Sequence, residues 1–129
     1  MTYAMSRTLN RPFDDVVTDV RDVLAQQGFG VVTEINMQET LRTKLGVEID
    51  HQLIFGACNP AYAHRALQAE PSIGLLLPCN VVIRSTDDGT VVEMINPQMM
   101  VEITESPEMH QVANEVTEKL TAALESLRL

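Results

Sequence analysis

Two cysteines and one histidine are the side chains whose types and spacing suggest chemistry. Cys58 immediately precedes Asn59-Pro60, a pair suited to begin a helix. There the asparagine caps, and the proline takes a first-turn position where its missing N–H costs nothing. A sulfur placed before such a helix meets free backbone N–H groups, which favour the thiolate and lower a cysteine pKa. Cys79 closes the apolar run Leu75-Leu76-Leu77-Pro78. Antiparallel pairing of the strands that carry the two cysteines would bring them together. The pair could then act as nucleophile (Cys58) and resolving thiol (Cys79), or hold a soft metal. The plainer reading is that both are small buried side chains, as free cysteines commonly are. Their long separation is unlike a Cys-x-x-Cys oxidoreductase, which weighs against redox turnover. His64 lies in the same stretch but specifies no ligand geometry and reads as a partly exposed helix residue. The candidate ligand-binding set is therefore Cys58, Asn59, Pro60, His64, Pro78, Cys79 and Asn80.

Other motifs are wanting. A zinc centre needs about four ligands, and this stretch offers two cysteines and one histidine. His51 falls on the apolar face of its strand and reads as packed, whereas His110 reads as surface. Gly28-Phe29-Gly30 lacks the third glycine of a phosphate-binding fingerprint and precedes a strand rather than a helix. There is no serine elbow and no His-Glu-x-x-His helix. The seven methionines follow no repeated box and suit flexible filling of an aromatic-poor core. No resident metal and no cofactor are expected, and no catalytic residue is assigned.

Charge narrows the partners. The chain has 129 residues, 18 acidic and 9 basic, for a net charge of −9. Such a balance disfavours nucleic-acid backbones and anionic membranes. The stretch from Gly56 to Asn80 is nearly neutral, with one acid, Glu70, and one base, Arg65. Two cysteines make no secreted disulfide framework, and no leader-like or membrane-length apolar segment is evident. The expectation is a cytoplasmic protein with a single domain over residues 1–129.

The elements that must position these residues follow from periodicity. Alternation over Thr2–Leu9 suggests an edge strand. Pro12 opens a long helix whose stripe is Phe13, Val16, Val17, Val20, Val23 and Leu24, and Gly28 ends it. A β-branched run, Phe29–Ile35, is a strand, and Asn36 with Glu39 marks a short helix to Leu45. Period-two alternation over Ile49–Ala57 gives a strand, followed by the helix that Asn59-Pro60 begins and Pro71 ends. Asn80–Ser85 and Thr90–Ile95 form a hairpin about Asp87-Asp88-Gly89. Gln98–Ile103 reads as another short strand. Ser106-Pro107-Glu108 opens a final helix whose stripe runs from Met109 to Leu127. The class is α+β, a largely antiparallel sheet covered on one face by two long helices. The other face, expected to carry Val82, Val92 and Met94, would be covered by a second copy in a homodimer.

Several stretches in register carry a family resemblance: Gly28-Phe29-Gly30-Val31, Gly56-Ala57-Cys58-Asn59-Pro60, Glu70-Pro71, Ile73 through Ile83, and Asp88-Gly89-Thr90-Val91. Together they resemble the bacterial and archaeal family catalogued as a domain of unknown function, number 302. The resemblance implies a fold similar to that of the TATA-binding protein, β-α-β(4)-α with inserted short helices, usually homodimeric. It implies no activity. The expected role is a homodimeric, non-catalytic binding module for a small apolar or sulfur-bearing ligand, or a partner protein, near Cys58 and Cys79. The competing expectation is a thiol-dependent redox or sulfur-handling protein using the same pair.

Overall fold

The computed structural model describes residues 2–129. Its elements are β1 (Ala4–Leu9), α1 (Phe13–Gln26), β2 (Gly30–Asn36), α2 (Met37–Leu45), β3 (Gln52–Cys58) and α3 (Pro60–Ala69). A 3-10 helix (Pro71–Leu76), β4 (Cys79–Thr86), β5 (Gly89–Ile95), α4 (Gln98–Thr104) and α5 (Met109–Glu125) complete the chain. The five strands form one antiparallel sheet in the order β1-β5-β4-β3-β2. This is the expected α+β class with its antiparallel sheet.

Register decides what each face carries. Met5, Met94, Val81 and Phe55 lie in one row across the sheet, and Arg7, Val92, Ile83 and Leu53 in the next such row. Val81, Ile83, Val92, Met94 and Phe55 are fully buried, packed with Val16, Val20 and Leu24 of α1 and Val112, Val116 and Leu120 of α5. Val92 and Met94 therefore belong to the helix-covered face, contrary to expectation. Only Val82 of the three lies on the open face, paired with Ile54 and Glu93. Alternation does not say which of two apolar faces is covered; that depends on cross-strand partners distant in sequence.

Local signals explain most boundaries. The Asn36 side chain accepts the Glu39 N–H at 3.0 Å, and Gly46 closes α2 with φ 68°. Gly28 takes φ 84° just beyond α1. Gln98–Ile103 is helical rather than extended. Asn96 Oδ1 accepts the Gln98 N–H at 3.0 Å, turning the chain after β5, and the Gln98 amide then reaches Asn114 and Thr117 of α5. Ser106-Pro107-Glu108 forms a turn ahead of α5, which begins at Met109. In that turn the Glu108 carboxyl is held below its usual pKa by its own backbone N–H and by the Ser106 hydroxyl. His51 is exposed, yet its ring stacks on Phe13 with centroids 5.0 Å apart.

Candidate groove and cysteine region

The site is built where β3 ends and β4 begins. The register pairs Ala57 with Cys79 and Gly56 with Asn80, so the cysteine-bearing strand ends do lie side by side. At Gly56 a Cβ would stand 2.1 Å from Thr33 Oγ1 and 2.6 Å from Pro78 Cγ. Only glycine lets the Pro78 ring lie so close to the sheet. The preceding Leu77–Pro78 peptide is cis.

Two recesses meet at this corner. The inner one, about 30 Å³ in volume, is lined by Cys58, Asn59, Tyr62, Pro78, Cys79 and Met100 with apolar neighbours from α3 and α5. It has room for one or two water molecules and no organic ligand. The outer one is a groove of about 250 Å³ between the 3-10 helix, the ends of β4 and β5, and α4. Its walls include Leu75, Leu77, Pro78, Met99, Met100 and Ile103, with Asn80 and Asn96 among the polar residues. The two share Leu77, Pro78, Cys79 and Met100.

Of the sequence candidates, Cys58, Asn59, Pro78 and Cys79 line the inner recess, and Pro78, Cys79 and Asn80 line the groove. Pro60 and His64 are exposed and line neither. Asn59 stands at the cap position of α3 without a side-chain capping bond. Its amide instead donates to the Gln27 carbonyl at 3.4 Å, drawn there by the open carbonyl at the end of α1. Sequence reasoning missed Met99, Met100 and Ile103 as groove residues. Their spacing by one and four residues marks one side of a helix, a signal hidden by reading the segment as a strand.

The family model for the domain of unknown function DUF302 matches residues 5–127. This chain belongs to the DUF302 family. It is similar to a crystal structure of an uncharacterized conserved DUF302 protein from Bacillus stearothermophilus, at 26% identity and a TM-score of 0.92. That alignment covers 99% of this chain and 100% of the other. No curated protein matches the chain.

Within the DUF302 fold the two thiols are neighbours of unequal character. Both are free; Cys58 is half-buried and Cys79 buried. Since Ala57 is the residue opposite Cys79, Cys58 sits diagonal to it, and both cysteines line the inner recess. Burial pushes the Cys79 thiol up to about 11, helped by the adjacent Cys58. Cys79 is therefore a neutral thiol at physiological pH, unlike a reactive one. No cluster of three or more His, Cys, Asp or Glu side chains positioned for a metal ion occurs among the described residues. No helix among them is long and apolar enough to cross a membrane.

Proposed function

We propose that this DUF302 protein is a non-catalytic binding module, active as a homodimer, that takes a small aliphatic molecule into the groove beside Cys79. One observation carries the reading: Leu75 and Ile103, which line the same concave apolar wall, are 87% and 58% exposed. A single exposed leucine is ordinary. An aliphatic residue left uncovered forgoes about 1.5–3 kcal/mol of burial energy, and two on one recess favour an occupant. The neutral thiol of Cys79 adds apolar wall rather than a nucleophile, which weighs against the thiol-redox reading. Dimerisation is supported by the open sheet face, where Ile54 and Val82 pair beside the Arg84–Glu93 ion pair.

Titration with 1-octanol, followed by amide NMR shifts, tests the groove. Saturable shifts should cluster around Leu75, Asn80 and Ile103 and vanish in Leu75→Asp. Scattered, non-saturating shifts would overturn the reading.

A further inference from the structure

We propose that the inner recess is a soft-metal site that binds one Cu(I) ion through the sulfurs of Cys58, Cys79 and Met100. All three residues line it. Two come from adjacent strand ends, where Cys79 pairs with Ala57 and so stands beside Cys58. The third comes from the middle of α4 and is 6% exposed. Three sulfur-bearing residues from three elements thus border one space of about 30 Å³. A count of cysteines and histidines along the chain leaves out this thioether, because only the fold brings α4 to the strand ends.

A second observation points to an occupant. Cys79 is only 7% exposed, and its thiol makes no hydrogen bond among the described residues; the sulfur that does accept one is that of Met5, from Thr121. A buried polar group without a partner calls for an explanation, and here its lone pairs are free for an ion. The donor set decides which ion. No carboxylate and no imidazole lines the recess, and the Asn59 amide is engaged with the Gln27 carbonyl. Calcium and magnesium need oxygen ligands. Zinc takes about four ligands from thiolate, imidazole and carboxylate, and this recess supplies two of that kind. Thiolates with a thioether suit Cu(I). The outer groove gives a way in, since Cys79 and Met100 line both spaces.

Binding leaves copper in its oxidation state. Two Cu–S bonds form to thiolate, the two thiol protons pass to solvent, and the thioether adds a third bond without losing a proton. The ion offsets one thiolate charge in the interior, and half-buried Cys58 holds the other within reach of water. The site stands independently of any aliphatic ligand in the groove.

Anaerobic titration of the reduced full chain against a Cu(I)–bicinchoninate complex tests the proposal, with X-ray absorption counting the sulfur neighbours of the bound copper. Wild type should withdraw one equivalent of Cu(I) per chain and show three sulfur neighbours. Met100→Leu keeps the volume nearly constant, so its circular dichroism should match wild type. Its sulfur count should fall to two and its Cu(I) affinity by about tenfold. Cys79→Ser should lose at least about 100-fold. Wild type that leaves the copper with bicinchoninate overturns the site. Met100→Leu that keeps three sulfur neighbours and wild-type affinity overturns the three-sulfur centre.

Discussion

At Cys79 the cost of taking a thiolate out of water raises the pKa from 9.0 to about 11. Alkylation of Cys79 by iodoacetamide should thus be very slow at pH 7 and rise about tenfold per pH unit until near pH 11. Peptide mass spectrometry resolves this rate from that of Cys58. The same shift links to stability. Because the folded thiol holds its proton longer than the unfolded one, its contribution is complete below pH 9.0 and is lost as pH rises toward about 11. The loss reaches ~2–3 kcal/mol, and Cys79→Ala should flatten that alkaline limb of a urea-unfolding series. Gly56 makes the second residue-scale prediction. Thr33 can rotate away from an added Cβ, but the Pro78 ring cannot. Gly56→Ala should cost about 1–3 kcal/mol by overpacking and weaken groove binding, because Pro78 walls both recesses. Unchanged unfolding midpoints and unchanged 1-octanol affinity would show that Pro78 yields after all.

Among the elements, α5 and α2 are opposites. The last turn of α5 has no basic residue of its own, and Arg7 of β1 supplies the missing donors from across the fold. Its Nη1 donates to the carbonyls of Leu124 at 2.8 Å and Leu127 at 2.7 Å. Arg7→Met keeps much of the stem and removes those bonds, so it should destabilise the whole fold by about 1.5–3 kcal/mol. A thermal midpoint equal to wild type would refute that role. By contrast α2 buries none of its residues, and Leu45 is 70% exposed. A nine-residue helix with so little packing leans on its caps, beside half-buried Met37 and Leu41 and the bond from the Gln38 amide to the Ile49 carbonyl. Asn36→Ala should therefore lower hydrogen-exchange protection within α2 and leave the global midpoint nearly unmoved. These contrasts show what was legible. Asn36, Gly46 and Gly28 act within a few residues of themselves, so their helix ends could be read directly. Residues 98–103 carry β-branched Val101 and Ile103, which suggest a strand, but the Asn96 turn and the bonds from Gln98 to α5 override that preference. The groove was half legible for the same reason: its Pro78–Asn80 wall follows from local sequence, whereas its α4 wall is a tertiary outcome.

For the whole molecule, the net charge of −9 sets where another copy can approach. Two such chains repel over most of their surface. The open sheet face is the exception. Its rows run Ser6, Glu93, Val82, Ile54, Ile35 and Thr8, Val91, Arg84, Gln52, and the charged residues in them are Arg84 and Glu93. Those two neutralise each other, with Arg84 Nε 2.9 Å from Glu93 Oε1. A five-stranded sheet of this length presents a flat footprint of roughly 500 Å², before side-chain relief is counted. The relief brings it toward the ~800 Å² per partner of a stable interface. The composition alone placed the acids but not this gap in them, because the faces depend on register. Two outcomes follow for sedimentation equilibrium. Wild-type protein should sediment as a dimer at micromolar concentration and associate more tightly as salt screens the repulsion between the remaining acidic surfaces. Val82→Glu, which puts a carboxylate in the middle of each facing patch, should shift the equilibrium to monomer by at least about 30-fold. Circular dichroism should remain that of the wild type, since Val82 is only half-buried within one chain. The groove variant Leu75→Asp should remain dimeric. Wild-type monomer at both low and high salt would end the dimer reading, and a Val82→Glu variant that still dimerises would move the interface off this face.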